Sequence, residues 1–265
     1  MAGGKFEIEQ RDAILIATIN RPEKLNAFDL EIWEGLWTAT RRLAADTSVR
    51  VLLVRAEGRY FSAGIDLNSE LAPAAGLTAP ADFRQWYRAG TGSLHALGDE
   101  WEAIGKPIVV AHQGPCLGGA LELSLCADFR LASRDARYGL PEIALGGIPG
   151  SGGTSRLVRL AGPHWARWMN LANKQVDAEL ARTIGIVHDI FEPGDFNAGV
   201  DSFCDHMASI PPEAFAAGKL AIELSVDLDR AQARNVERLA VSSLIGGQEL
   251  RDMMSAMQKR LSGKR

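Results

Sequence analysis

Short apolar runs separated by longer segments of helical periodicity make up most of this chain. Residues 6–10 and 13–20 are alternating or continuously apolar on either side of Arg11-Asp12, which predicts the two strands of a hairpin. Further strands are predicted at residues 49–56, 107–111, 127–132 and 187–191. The first part of the chain is therefore expected to mix strands with helices.

The helical segments carry apolar residues three or four positions apart. Asp29 is predicted to be the N-cap of a helix that runs to about Asp46, with Trp33 and Leu36 on its apolar face. Residues 68–105 are rich in Ala, Pro and Gly at first and then become helical. A segment of this kind between two strands can cover a pocket.

Beyond Pro193-Gly194 the pattern changes to helices alone, broken at Pro211-Pro212 and at Gly246-Gly247. We therefore place a boundary near residue 195. Residues 1–195 are expected to form the mixed core. Residues 196–265, which carry Leu, Val and Met at helical spacing, are expected to form a packing or assembly surface.

Composition argues against several classes of partner. The chain has 29 Lys and Arg against 33 Asp and Glu, with no long basic run, so nucleic acid is not an expected partner. No segment approaches about 18 uninterrupted apolar residues, so no membrane span is expected. Cys116, Cys126 and Cys204 lack metal-ligand spacing and are expected to be reduced core residues, which favours a cytoplasmic location.

The first stretch with potential chemistry is Gly114 to Asp128, which follows a predicted strand and turns into a helix. Gly118 and Gly119 lack Cβ atoms, so a ligand can approach the backbone, and the first N–H groups of the helix can hold an oxyanion. Glu122 lies about one turn later, near the same mouth. The alternative is structural, with glycines that allow close packing and an acidic residue that offsets the helix dipole.

A second stretch, residues 58–67, leaves another predicted strand in a turn. Ala63-Gly64 can again leave a backbone N–H directed into a cleft. Asp66 either bonds nearby amides within such a site or is a simple turn or N-cap aspartate.

A third stretch, residues 138–154, supplies a second carboxylate. Glu142 directly follows Pro141, a residue type favoured at a first helical position, so its side chain is expected near a helix start. The glycines of residues 146–153 resemble a phosphate loop in composition only. They lack the Gly-Lys-Ser/Thr ending, so they do not predict a nucleotide site.

Four ordered motifs resemble those of the crotonase superfamily, the enoyl-CoA hydratases and isomerases. They are Asn-Arg-Pro-Glu-Lys-Leu-Asn-Ala at 20–27, Phe-Ser-Ala-Gly-Ile-Asp-Leu at 61–67, the stretch 114–128, and Pro-Glu-Ile-Ala-Leu-Gly-Gly-Ile-Pro-Gly-Ser-Gly-Gly-Thr at 141–154. The resemblance spans nearly the whole chain. It implies an α/β fold in which a spiral of ββα units precedes a C-terminal helical region, which builds trimers that commonly pair into hexamers.

The resemblance also implies a catalytic site. The family's oxyanion hole, made by two backbone N–H groups, matches Ala63 and Gly119, and its two catalytic glutamates match Glu122 and Glu142. These groups suit reversible addition of water to a 2-enoyl-CoA thioester, with Glu122 as the expected base and Glu142 as the expected proton donor to the α-carbon. The alternatives are a double-bond isomerase, which needs a single base, and a non-catalytic acyl-CoA binder.

Coenzyme A is expected as part of the substrate, and no separate cofactor or metal is expected. The resemblance implies contacts between coenzyme A and six residues: Lys24, Ala63, Gly64, Ile65, Asp66 and Gly119. Lys24 is expected to face a phosphate, and Lys259 and Arg260 are expected to reach the phosphates of a neighbouring subunit's ligand. Each of these cations is otherwise an ordinary surface charge.

Two departures from the family pattern bear on the acyl group. Met257 stands where the family often has phenylalanine, and residues 68–105, which commonly shape the acyl pocket, look several residues longer than in short-chain hydratases. Trp86, Tyr87 and Trp101 in that segment leave room for a larger or aromatic acyl group, or they belong to the core. Three histidines are expected to be structural: His112, His164 and His188.

Overall fold

The computed structural model describes residues 4–69, 71, 79–89 and 94–263, apart from the side chains of residues 83 and 87–89. The chain divides into two compact units. The first unit runs to Glu102 and then from Pro107 to Ala208, whereas the second contains residues 103–106 and 209–265.

Two sheets lie in the first unit. The main sheet contains Phe6–Arg11 (β1), Ile14–Ile19 (β2), Val51–Ala56 (β3), Ile108–His112 (β4), Phe129–Ser133 (β6) and Asp189–Phe191 (β9), in the order β1-β2-β3-β4-β6-β9. The smaller sheet contains Cys116–Leu117 (β5), Arg137–Gly139 (β7) and Val176–Asp177 (β8). The predicted hairpin is confirmed, because β1 and β2 pair antiparallel, while the other neighbours in the main sheet are parallel. β2 and β4 are buried along their whole length, as their continuous apolar runs require.

Helices connect the strands, so the α/β class is confirmed. The helices that begin in the first unit are Leu30–Ala45 (α1), Pro80–Ala89 (α2), Leu94–Ala103 (α3), Gly119–Ser124 (α4), Gly153–Ala166 (α5), Ala178–Thr183 (α6) and Phe196–Ser209 (α7). The predicted N-cap of α1 is present, because the Asp29 carboxylate accepts a hydrogen bond of 3.2 Å from the N–H of Ile32. Trp33 and Leu36 are buried on the inner face of α1, as the periodicity predicts.

The division between the units falls later than the boundary that the sequence pattern suggests near residue 195. α7 packs within the first unit because Phe196 and Val200 are buried there and Phe203 contacts Phe129 edge-to-face. Arg11 of β1 also forms ion pairs with Asp201 and Asp205 of α7. A change from mixed to helical periodicity therefore marks the last strand and not the end of the first unit.

The second unit consists of Pro212–Ser225 (α8), Arg230–Leu244 (α9) and Gln248–Ser262 (α10), with the short segment 103–106. α8 packs on α9. The large apolar side chains of α10 are exposed and share a helical spacing: Leu250, Met253, Met254, Met257 and Leu261. The assembly role of this region stays a prediction.

The three cysteines are buried and free. Cys116 and Cys204 have no exposed surface, and burial raises the pKa of the Cys204 thiol to about 12. Within the part of the chain that the structure describes, no helix is long and apolar enough to span a membrane.

Trp101 belongs to the core and not to an acyl pocket. Its side chain is 1 % exposed, and its indole N–H donates a hydrogen bond of 2.8 Å to the hydroxyl of Thr40 in α1. That hydroxyl in turn donates to the carbonyl of Leu36. Trp101 therefore ties α3 to α1 inside the first unit.

We expect Trp101→Phe to lower the free energy of unfolding by about 1–3 kcal/mol, because the variant loses a buried hydrogen bond and some packing volume. Chemical denaturation monitored by far-UV circular dichroism measures this change. Trp37→Phe, at a half-buried position of α1, is the matched control and should change stability less. A Trp101 variant of unaltered stability would contradict the core role.

Candidate active site

Three stretches from the sequence meet at one end of the small sheet. Ser62 pairs with Cys116 in an isolated parallel bridge, and the N–H of Gly118 donates to the carbonyl of Gly139 at 2.9 Å. The turn at residues 61–67, the start of α4 and the segment that leads to Glu142 are thus joined by backbone hydrogen bonds. Local strand-turn geometry brings the predicted site residues together.

These stretches enclose a cavity of about 530 Å³. Its wall carries large apolar side chains: Trp33, Ile65, Leu67, Leu71, Trp86, Leu94, Leu145 and Ile148. Glu122 and Glu142 are the charged residues among the described lining. An apolar cleft with two carboxylates at one place is typical of a small-molecule site that handles protons.

The carboxylate of Glu122 is held by backbone amides. Its side chain projects from α4 and is 4 % exposed. Oε2 accepts hydrogen bonds from the N–H of Ser151 at 2.6 Å and from the N–H of Gly153, the first residue of α5, at 2.9 Å. Oε1 has no hydrogen-bond partner among the described residues, so it can bond a molecule in the cavity.

Opposing influences set the protonation of Glu122. Burial and, to a smaller extent, the neighbouring charge of Glu142 raise the pKa of Glu122, and the net value is about 7. The amides of Gly153 and Ser151 and the guanidinium of Arg156 lower this pKa. Glu122 can therefore exchange a proton near neutral pH, as a general base requires.

Glu142 lies in a short 3₁₀ turn, Pro141–Leu145, where Pro141 occupies the first turn as predicted. Its Oε2 is buried and has no hydrogen-bond partner among the described residues. Burial raises the pKa of Glu142 above its ordinary value. This shift makes the carboxyl group easier to protonate than one in water, and a protonated carboxyl group can deliver a proton.

The expectation that Ala63 supplies an oxyanion-hole amide is wrong. The N–H of Ala63 donates a hydrogen bond of 2.9 Å to the carbonyl of Leu25. An amide that is already bonded within the fold cannot also hold a substrate oxygen without breaking that bond. Ala63 still lines the cavity, so contact between Ala63 and a ligand stays a prediction.

Ile65 carries the available amide on this side. The carbonyl of Gly64 accepts from Phe28 at 2.7 Å, and the N–H of Asp66 donates to Phe28 at 2.9 Å. Because successive backbone groups of an extended chain alternate in direction, the N–H of Ile65 is directed away from Phe28. It has no acceptor among the described residues.

Gly119 begins α4 next to the turn that carries Ile65, and its role in an oxyanion hole stays a prediction. As the first residue of α4, its N–H has no intrahelical acceptor, and none is found among the described residues. A Cβ on Gly64 would lie 3.3 Å from the Gly119 nitrogen and 2.9 Å from the carbonyl oxygen of Leu117. The two amide-bearing segments can therefore lie side by side only because residue 64 is a glycine with φ +98°.

The side chain of Asp66 is a turn aspartate, which is the structural alternative for this residue. Its carboxylate accepts from the N–H of Asn68 at 2.9 Å and pairs with Arg21 at 2.7 Å. These two interactions hold the pKa of Asp66 below its ordinary value. The side chain closes a turn, and its backbone stays a predicted contact for coenzyme A.

Some of the residues predicted to contact coenzyme A line the cavity, and others lie outside it. Gly64 and Ile65 line the cavity, whereas Lys24 is exposed at the end of the 3₁₀ turn Pro22–Lys24 and lies outside the lining. Lys259 and Arg260 are exposed in α10 of the second unit. Contacts of these three cations with phosphates stay predictions.

Trp86 of α2 lines the cavity, in keeping with its expected role at the acyl group. The side chain of Tyr87 lies outside the described residues. Met257 is exposed on α10.

The histidines do not line the cavity. His112 is buried between the hydroxyls of Ser124 at 2.9 Å and Tyr138 at 3.1 Å, and burial lowers its pKa to about 3. His188 accepts from the N–H of Arg130, and burial lowers its pKa to about 4. Both are structural, as expected. Across the described residues, no group of three His, Cys, Asp or Glu side chains has the arrangement of a metal site.

Sequence reasoning missed the residues that hold Glu122. Ser151 and Gly153 supply the two amides, and Arg156 acts on the same carboxylate. The signal for them is the glycine-rich composition of residues 146–153, which phosphate loops share. A glycine loop that starts a helix can equally bind a carboxylate of its own chain.

Comparison with known proteins agrees with this geometry. A family model described as enoyl-CoA hydratase/isomerase matches residues 9–262. The chain belongs to the enoyl-CoA hydratase/isomerase family.

The crotonase fold that the sequence motifs imply is confirmed by solved structures. An enoyl-CoA hydratase from Bacillus anthracis matches with a TM-score of 0.87 and 25% identity over 97% of both chains. One from Thermoplasma volcanium matches with a TM-score of 0.84 and 28% identity over 95% of this chain and 96% of that chain.

Sequence relatives within the family carry hydratase names. The chain is 32% identical to a 2,3-dehydroadipyl-CoA hydratase of Escherichia coli (strain K12), over 96% of this chain and 95% of the relative. It is 30% identical to a short-chain-enoyl-CoA hydratase of Clostridium acetobutylicum, over 94% and 92%. It is also 29% identical to a crotonyl-CoA hydratase of Syntrophomonas wolfei, over 98% and 97%.

We expect Gly153→Ala to displace the Glu122 carboxylate, since the new Cβ would lie 2.6 Å from Cγ and 2.9 Å from Oε2 of Glu122. Weaker amide bonds should raise the pKa of Glu122 above about 7, because these bonds favour the charged form. A ¹³C NMR titration of labelled glutamate, with Glu122→Gln to assign the signal, measures the shift.

The control for this variant is Gly194→Ala, where the new Cβ would meet nothing within 4 Å. An unchanged Glu122 titration in Gly153→Ala would show that these amides do not hold the carboxylate.

Proposed function

We propose that this protein is an enoyl-CoA hydratase, which adds water reversibly to the double bond of a 2-enoyl-CoA thioester and gives the 3-hydroxyacyl-CoA. One observation carries the proposal. Two carboxyl groups of different surroundings, Glu122 and Glu142, line one apolar cavity beside the backbone amides of Ile65 and Gly119, which have no acceptor among the described residues. Family membership supports the same chemistry.

The amides would stabilise the charge that develops on the substrate. As water adds to the β-carbon of the conjugated thioester, electrons move to the carbonyl oxygen, which becomes an enolate oxygen. Hydrogen bonds from Ile65 and Gly119 would hold this oxygen. Removing one such donor typically lowers the rate about 10²–10³-fold.

The glutamates would move the two protons. Glu122 as a carboxylate takes one proton from the attacking water, whose oxygen bonds to the β-carbon, and protonated Glu142 gives one proton to the α-carbon. The product therefore carries a new O–H group on the β-carbon and a new C–H bond on the α-carbon. Glu122 ends protonated and Glu142 ends as a carboxylate. Their surroundings suit these roles, because Glu122 is bonded by amides and Glu142 has an unpartnered buried oxygen.

We also propose how the substrate and the assembly are arranged. Coenzyme A would be part of the substrate, with no separate cofactor, and Lys24 would face one of its phosphates. The exposed apolar side chains of α10 support a homotrimer or homohexamer built through the helical region. The buried free cysteines are compatible with a reducing cytoplasm.

A panel of acyl-CoA thioesters tests the reaction. We expect the purified protein to remove the conjugated absorbance of crotonyl-CoA and cinnamoyl-CoA as water adds. The described lining of the cavity offers no cation to a terminal carboxylate, so 2,3-dehydroadipyl-CoA should have a lower kcat/KM. Appearance of conjugated absorbance from 3-enoyl thioesters, without hydration of 2-enoyl thioesters, would instead identify an isomerase.

We expect Glu122→Gln and Glu142→Gln each to lower kcat for hydration by about 10²–10⁴-fold, because each removes one proton-transfer group. Glutamine keeps the size of the side chain, and its amide oxygen can still accept from the Ser151 and Gly153 amides. Steady-state kinetics at fixed pH measure the loss. Glu179→Gln, on the exposed start of α6, is the control, and hydration near the parent rate in both active-site variants would contradict these roles.

A further inference from the structure

Arg156 lies behind the Glu122 site in a partly buried ion cluster. Its side chain is 11 % exposed. Nε donates to Oε1 of Glu102 at 2.5 Å and one terminal nitrogen donates to Oε2 at 2.7 Å, so the pair is bidentate. The same nitrogen also donates to Asp99 at 2.9 Å. The guanidinium is therefore fixed in one orientation between α3 and α5.

The other terminal nitrogen of Arg156 meets the loop that holds Glu122. It lies 3.4 Å from the carbonyl oxygen of Ser151. A Cβ on Gly152 would lie 1.7 Å from this nitrogen, so the guanidinium packs directly against the Gly152 backbone. Gly152, with φ +97°, is the N-cap of α5. Ser151 and Gly153, on either side of it, supply the amides that bind Glu122.

The charged groups around these two residues can be named. Within the described residues, Glu142 and Arg156 act on the Glu122 carboxylate, in addition to the two amides. Glu102 and Asp99 of α3 act on Arg156, and so does the thiol of Cys126, which lies just after α4. Arg156 is thus the cation in a cluster that otherwise consists of carboxylates and a thiol.

We infer that Arg156 is a positioning residue for the proposed hydration. It fixes the loop of residues 151–153 so that two amides point at Oε2 of Glu122, and its charge favours the carboxylate that must accept the proton of water. This inference rests on the proposed function, and it assigns to Arg156 no contact with the substrate.

The test compares Arg156→Met with Arg156→Lys over a range of pH. We expect Arg156→Met to lower kcat about 10–100-fold with KM within about threefold, because the base is misplaced while the cavity keeps its lining. Losing the cation raises the pKa of Glu122, so the limb at which kcat/KM falls with decreasing pH should move to higher pH. Arg156→Lys keeps the charge and should restore the limb towards its original position, but it loses the bidentate contact with Glu102, so its kcat should stay below the parent value.

The matched control is Arg134→Met. Arg134 also pairs with two carboxylates, those of Glu179 at 2.5 Å and Glu192 at 2.6 Å, but on the exposed surface. The Arg134→Met variant should leave kcat and the acid limb of the pH profile unchanged. An acid limb that stays in place in folded Arg156→Met, or moves equally in Arg134→Met, would overturn the inference. If Arg156→Met does not fold, the kcat of Arg156→Lys is the test. A kcat equal to that of the parent protein would overturn the inference.

Failure of the proposed function is distinguishable. If the parent protein hydrates no 2-enoyl thioester, the function is wrong and the kinetic readout is lost. The ¹³C titration of Glu122 then tests Arg156 without turnover. Arg156→Met must raise the pKa of Glu122 in that titration, and an unchanged value would overturn the inference.

Discussion

Burial of the Glu122 carboxylate is the constraint on which the site depends. An ionised carboxyl group that is 4 % exposed is strongly destabilised unless hydrogen bonds replace the water that it loses. Here the replacement comes from the amides of Ser151 and Gly153, just before and at the start of α5, where N–H groups without an intrahelical acceptor and the helix dipole both favour a negative charge. The hydrogen bonds to Glu122 therefore help to hold the start of α5 against α4, in addition to the packing of the two helices.

The glycines near this carboxylate follow from the same constraint. A side chain at residue 153 would overlap Glu122, and one at residue 152 would overlap Arg156. The loop of residues 151–153 and the ion cluster of Arg156 lie on the same side of Glu122. They can both lie so close because residues 152 and 153 lack Cβ atoms. Glu142 approaches the cavity from another segment and has no comparable partners in the described part of the chain, so the two carboxyl groups are placed in different electrostatic surroundings. Two acids with unlike surroundings can hold a proton unequally, as a two-proton addition requires.

Local signals in the sequence predicted most of the fold and part of the site. The hairpin, the N-cap at Asp29, the proline start before Glu142 and the amide at Gly119 depend on residues that are near neighbours in the chain. Ala63 failed because the direction of an amide in a turn depends on which carbonyl accepts it, and Leu25 lies 38 residues away. The boundary near residue 195 failed similarly, since helical periodicity does not reveal that α7 packs on β6 and β1.

With the amide of Ile65 in place of that of Ala63, the proposed oxyanion hole has a different geometry and the same chemistry. Gly64 directs its carbonyl, and Asp66 directs its N–H, towards Phe28, so both sides of Ile65 are anchored in one bridge. Arg21 reinforces this anchor through Asp66. An amide fixed in this way needs no reorganisation when charge develops on a thioester oxygen, which is the condition for effective electrostatic stabilisation. The ion pair at Asp66 is comparable to the ion cluster at Arg156, since each contacts a backbone segment of the site: the first carries the Ile65 amide, and the second carries the amides that bind Glu122.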